Sequence, residues 1–168
     1  VAAHEVRTPA DVVDTDALVI PGGESTTISL MLDANELRTP IAERLAGGLP
    51  ALGTCAGMIL LATNVLDGRH DQRSFGVLDI DVRRNAFGRQ ADSFEAELEV
   101  QGLVGGSIHA VFIRAPQVER TGAGVEVLAE VDGKAVLVRQ GPVMASAFHP
   151  ELSDDPRLHE LFLSTVGE

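Results

Sequence analysis

Residues 49–62, LPALGTCAGMILLA, leave the backbone little choice. A short apolar run ends at Gly53 and an apolar helical run starts at Ala56, with only Gly-Thr-Cys-Ala-Gly spanning the junction. A strand that becomes a helix so abruptly needs side chains small enough for the two elements to touch. Gly53 and Gly57, two positions either side of Cys55, meet that need. Such a corner presents its apex residue at the head of a helix, and here the apex is the only cysteine in the chain. A lone cysteine is commonly a buried thiol that packs as a small hydrophobe. At this corner the first N–H groups and the positive dipole end of the helix favour a thiolate, and with it a nucleophile.

The surrounding pattern predicts the sheet into which this corner is set. Residues 16–20, DALVI, read as a buried strand ended by Pro21. A Gly22-Gly23 turn follows, then a helix to about Leu32 that Ser25 or Thr26 can cap. Further elements are a helix over 40–46 stopped by Gly47-Gly48, a strand over 49–52 and a helix over 56–64. Alternation of this kind predicts an α/β sheet covered on both faces. A short strand near 3–6 is a further expectation. Beyond Gly68 the pattern turns to strands, at 77–84, 93–100, 109–115, 125–131, 134–139 and 143–148. Asp132-Gly133 is a two-residue hairpin signal. A last helix runs from Pro156 to about Thr165, capped by Asp154 or Asp155. With no linker or internal repeat, residues 1–168 read as a single α/β domain with a β-rich second half.

A formal charge of −12 argues against a nucleic-acid surface, and the few local basic residues, such as Arg83, Arg84 and Arg89, do not make a phosphate-tracking groove. One cysteine forms no internal disulfide. No run approaches the ~20 apolar residues that cross a membrane, and no signal peptide precedes the first strand, so the expected compartment is the cytoplasm. One cysteine and dispersed histidines also lack metal-ligand spacing.

A cysteine nucleophile requires a base. Of five histidines, His149 is marked by its setting: it ends a strand, precedes Pro150, and has Glu151 two residues on. Proline fixes the backbone, so that imidazole and carboxylate can be held together, the carboxylate orienting the ring. Attack on a carbonyl also requires two N–H donors for the developing oxyanion. The corner places the Ala56 N–H, and the Gly22-Gly23 turn can aim a second. PGGEST lacks the lysine and spacing of a phosphate loop, and Glu24 would repel phosphate.

In this order, PGGEST, GTCAG, RRNAFGRQ, DSFE, VFIRAP and FHPEL resemble the class I glutamine amidotransferases with a Cys-His-Glu triad. They are most similar to one branch, the glutaminase subunits of pyridoxal 5′-phosphate synthase. The resemblance runs from Val6 onward. It implies a three-layer sandwich with a mainly parallel central sheet. By resemblance Cys55 is the nucleophile, completed by His149 and Glu151, and the N–H groups of Gly23 and Ala56 form the oxyanion hole. Gly23, Glu24, Ser25, Arg84, Ile113 and Arg114 would hold glutamine, an arginine fork gripping its α-carboxylate. Glu24 would either approach the α-ammonium or order its loop. The implied activity is hydrolysis of L-glutamine to glutamate and ammonia, with no cofactor. Ammonia would pass to a TIM-barrel synthase partner, in an assembly of twelve subunits of each kind, for pyridoxal 5′-phosphate (vitamin B6) synthesis. The glutaminase would be weakly active until docked.

Members of that family open with a strand, a Leu-Gln-Gly turn and a helix ahead of the segment that matches Val6. The expectation is therefore an N-terminally incomplete domain lacking the first strand and helix. The sheet beside 16–20 would then be open, and the apolar side chains of the helix, from Met58 to Val65, would be partly exposed. Two other readings compete: a cysteine hydrolase of the DJ-1/PfpI type, which also places a cysteine on an elbow, and a non-catalytic docking subunit.

Overall fold

Three apolar runs lie side by side as parallel strands: β1 (Leu18–Ile20), β2 (Ala51–Thr54) and, from far along the chain, β10 (Val143–Ser146). In this computed structural model, residues 1–84 and 93–167 are described. All four residues of β2 and all four of β10 are buried, so both faces of the sheet are covered there, as uninterrupted apolar runs require. Antiparallel β9 (Lys134–Gln140) and β8 (Glu126–Val131) extend the sheet to the order β1-β2-β10-β9-β8. Asp132 and Gly133 join β8 to β9 with φ of 50° and 72°, the left-handed pair that a two-residue hairpin needs.

Among the described residues, two smaller sheets complete the fold. β3 (Ala62–Val65), β4 (Leu78–Arg83) and β7 (Gln117–Thr121) form one, and β5 (Ser93–Leu98) pairs with β6 (Ile108–Ile113) as a separate hairpin. The helices are α1 (Pro9–Val13), α2 (Ser25–Ala34), α3 (Arg38–Ala46), α4 (Ala56–Leu61) and α5 (Arg157–Leu163), with a 3-10 turn at Pro150–Leu152. Among the described residues, no helix is long and apolar enough to cross a membrane.

α4 carries the centre of the core. Met58, Leu60 and Leu61 are fully buried and Ile59 nearly so. The expectation that this helix would be partly exposed is therefore wrong: its side chains are enclosed by α2, β1, β2 and β10. The helix is also shorter than its sequence pattern suggests. Residues 62–65 leave it as β3, because Ala62 adopts φ −62° and ψ 150° and pairs with Leu78. Among the described residues β1 is an outer strand, with Val19 half exposed. Residues 3–6 form no strand. α1 and β7 have no counterpart in the sequence reading. α1 is a single turn fixed by the Thr8–Asp11 capping box, and β7 is a mostly polar strand without apolar alternation.

Candidate active site

Parallel strands release the chain at one end of a sheet, and ligands of open α/β sheets bind beyond those carboxyl ends. β1 ends into Pro21-Gly22-Gly23, β2 into Cys55, and β10 into Ala147-Phe148-His149. Topology alone therefore gathers three of the motifs.

The cysteine corner is tight. Cys55 has φ 51° and ψ −103°, a conformation that costs a non-glycine residue on the order of 1–3 kcal/mol. Close packing holds it there. A methyl group on Gly57 would lie 2.0 Å from the Ile20 carbonyl oxygen, and one on Gly53 would lie 2.6 Å from the Gly57 carbonyl. Both glycines are thus required by contact between α4 and the strands beneath it. The Cys55 N–H donates to the Ser146 carbonyl at 2.8 Å, tying the apex to β10.

His149 is fixed from two directions. Its N–H donates to the Val111 carbonyl of β6 at 2.9 Å, and its Nδ1 lies 2.7 Å from Glu151 Oε1 across the 3-10 turn. Buried Phe148, the preceding residue, packs on Phe112 of β6 with ring centroids 5.5 Å apart, and Phe112 stacks on Phe94 at 4.3 Å. The β5–β6 hairpin thereby braces the histidine. The Ile113 carbonyl lies 3.9 Å from Cys55 Sγ. Imidazole and thiol flank one spot: a methyl on Gly22 would sit 2.5 Å from His149 Cε1 and 3.5 Å from Cys55 Cβ.

A cleft of about 210 Å³ opens here, lined by Gly23, Glu24, Ser25, Cys55, Ile59, Arg84, Ile113, Arg114 and His149. Ala56 and Glu151 do not line it, but the Ala56 N–H adjoins Cys55 and Glu151 pairs with His149. Arg84 follows β4 and Arg114 follows β6, so the two guanidinium groups reach the cleft from different sheets. Arg114 also has a positive φ, 43°. Gly23, at φ 144°, occupies a conformation that other residues rarely adopt.

Two expectations need correction. Burial pushes the Cys55 thiol above its ordinary 9.0, the nearby Glu151 carboxylate adds to this, and the Ala56 N–H and Arg114 offset it only in part. The raised pKa favours a resting thiol over the thiolate expected from the helix end, because burial outweighs the Ala56 N–H contributed there. The cap of α2 is Glu24 rather than Ser25 or Thr26. Its carboxylate accepts the N–H groups of Thr27 (2.7 Å) and Thr26 (3.1 Å). Burial alone would raise its pKa, but these bonds outweigh it and hold the group down at about 2. Of the two tasks open to Glu24, ordering the loop is the one its contacts serve, with Arg84 Nη2 3.3 Å away.

Ile59 follows Cys55 by one helical turn and reads as core in the sequence, yet it also forms an apolar wall of the cleft. Gln72, which hydrogen-bonds Arg84 and Ser25, carries no motif at all. Residues 85–90 of the RRNAFGRQ motif, Arg89 among them, and Asp92 of DSFE lie outside the described residues. Among the described residues, no three His, Cys, Asp or Glu side chains are grouped to hold a metal ion.

Comparison with known proteins matches the SNO glutamine amidotransferase family over residues 1–168. The chain is 56% identical over 164 residues to the pyridoxal 5′-phosphate synthase subunit PdxT of Parafrankia sp. (strain EAN1pec), covering 98% of this chain and 81% of that protein. It is 56% identical over 169 residues to the PdxT subunit of Salinispora tropica, covering 98% and 84%. Among solved structures, a glutamine amidotransferase superposes on 100% of this chain and 88% of its own, with 49% identity and a TM-score of 0.93. A glutamine amidotransferase from Thermotoga maritima shares the fold at 16% identity and a TM-score of 0.55, over 88% of this chain and 63% of its own. Matched along its whole length by the family, and at more than half identity by PdxT subunits, the chain belongs to the SNO glutamine amidotransferase family.

Proposed function

We propose that this chain is a glutaminase that hydrolyses L-glutamine to L-glutamate and ammonia through a thioester on Cys55, and that the ammonia feeds pyridoxal 5′-phosphate synthesis. One observation carries the chemistry: a buried cysteine at a strained helix head shares a cleft with a histidine whose Nδ1 is held 2.7 Å from a carboxylate. Nδ1 pairs with Glu151, which leaves Nε2 to exchange protons with the thiol. The names of the PdxT relatives support the pathway.

In the first half-reaction Nε2 of His149 takes the thiol proton as Cys55 Sγ bonds to the side-chain carbonyl carbon of glutamine. The raised thiol pKa makes this transfer a step taken with substrate present, when Glu151 stabilises the imidazolium. The oxyanion is received by the N–H groups of Ala56 and Gly23. The C–N bond then breaks, the imidazolium proton leaves with ammonia, and a γ-glutamyl thioester remains. Water, giving a proton to the same Nε2, adds to the thioester. The C–S bond breaks, the proton returns to sulfur, and glutamate departs. Ile59 suits the substrate methylenes, and Arg84 and Arg114 its α-carboxylate.

The finer reading is that the chain works in the cytoplasm, docked on a TIM-barrel synthase subunit in an assembly of twelve of each, with ammonia passing directly between them. A DJ-1/PfpI-type hydrolase would use neither the His149–Glu151 pair nor the two arginines. A docking-only subunit would have no use for a strained cysteine. Ammonia release from L-glutamine, measured with and without the synthase subunit, separates these readings. The glutaminase reading predicts turnover that the synthase stimulates and that His149→Ala reduces by about 10²–10⁴-fold. Wild-type chain that releases no ammonia with the synthase present would overturn it.

A further inference from the structure

Gln72 lies between β3 and β4, outside every motif of the site, and it does not line the cleft. Its carboxamide nevertheless reaches two groups that do. The oxygen accepts from Arg84 Nη1 at 2.9 Å, and the nitrogen donates to Ser25 Oγ at 3.0 Å. Thr26 Oγ1 donates to the same oxygen at 3.3 Å. The other side-chain acceptors of the Arg84 guanidinium are more distant, at 3.2 Å for Thr26 Oγ1 and 3.3 Å for Glu24 Oε1. Among the described residues, Gln72 is thus its nearest side-chain partner.

The segment that presents Gln72 is itself anchored. The Arg73 N–H donates to Ser29 Oγ at 3.0 Å, and that hydroxyl donates back to the Arg73 carbonyl at 3.2 Å. Arg38 donates to the same carbonyl at 3.1 Å and to the Ser29 carbonyl at 2.8 Å. Ser29 is fully buried. Phe75, three residues on from Gln72, donates its N–H to the Leu60 carbonyl at 2.6 Å and lies 5.5 Å beneath the Arg38 guanidinium. α2, α3 and α4 therefore all hold the backbone that carries Gln72.

A neutral amide suits such a position. Its oxygen fixes the direction of the guanidinium without adding a second negative charge to that of Glu24, which a carboxylate would do. We propose that Gln72 is a positioning residue for substrate selection: by holding Arg84 and Ser25 at a fixed spacing, it sets the cleft to accept an amide that carries an α-carboxylate. This inference rests on the glutaminase reading of the cleft. Gln72 touches neither Cys55 nor His149, so its effect falls on binding and not on the chemical steps.

The test is steady-state kinetics of the full chain with its synthase subunit. The substrate is L-glutamine, and the competing ligand is 4-aminobutanamide, which is glutamine without the α-carboxylate. Gln72→Met, close in shape but without the hydrogen bonds, should raise the KM for glutamine about ten- to a hundredfold, the worth of a hydrogen bond to a charged group. It should leave kcat and the Ki of 4-aminobutanamide within about twofold, a change too small for any lost contact of that worth. Gln72→Glu, which keeps an acceptor but sets a second carboxylate beside Arg84, should show the same selective rise and serves if Gln72→Met does not fold. An unchanged KM in the variant that folds, or equal losses for glutamine and 4-aminobutanamide, overturns the proposal while wild-type glutaminase activity stands. Absence of wild-type activity overturns the glutaminase reading and this inference with it.

Discussion

Gly22 and Cys55 show how single residues set the site. Gly22 leaves room for the imidazole: a methyl there would stand 2.5 Å from His149 Cε1, while its backbone is not in the left-handed region. Gly22→Ala should therefore displace the ring with little backbone cost, lowering kcat by about 10²-fold, as misplacement near 1 Å can do. Calorimetry and kinetics on the same sample check this, and the expectation is a melting temperature close to wild type. For Cys55 the sign follows from burial. Its pKa is raised above 9.0, so the thiol persists through neutral pH. Iodoacetamide alkylation should still be accelerating past pH 9.0, and a plateau near neutrality would show a resting thiolate instead. The corner was legible in the sequence because glycine spacing reports steric need directly. The thiol's protonation state was not, because it depends on burial by strands from distant parts of the chain.

At the level of elements, α2 shows what local pattern conveys and what it hides. Its start near residue 25 can be read from Gly-Gly followed by hydroxyl residues, but that pattern points to Ser25 or Thr26 as the cap. The fold selects Glu24 because Ser25 and Thr26 are buried against the Gln72 segment, which engages their hydroxyls. A carboxylate held at about 2, against an ordinary 4.5, stabilises the fold fully above about pH 4.5 and loses that contribution as pH falls toward 2. Urea unfolding of wild type and Glu24→Gln should show a stability gap that is constant above pH 4.5 and closes below it. A gap independent of pH would place the effect elsewhere. α4 and β3 are the contrary case. The helix expected to run to residue 64 ends at Leu61, and ATNV leaves it to pair with β4, a tertiary preference that outweighs local periodicity.

Across the whole molecule, the site is assembled from the ends of strands in the three sheets of the described residues, with β1, β2 and β10 supplying the glycine turn, the cysteine and the histidine. That the motifs belong together was readable from their chemistry and from resemblance. That the β5–β6 hairpin braces His149 through Val111 and Phe112, or that Gln72 stands behind Arg84, was not readable, because neither contact leaves a local pattern. The central claim is a covalent intermediate on Cys55. Its most direct test is mass spectrometry of chain acid-quenched during turnover of isotopically labelled L-glutamine with the synthase subunit. The account predicts a γ-glutamyl adduct on the peptide containing Cys55, absent from Cys55→Ser, with ammonia release lost in the same variant. Full-rate glutamine hydrolysis by Cys55→Ser would contradict it.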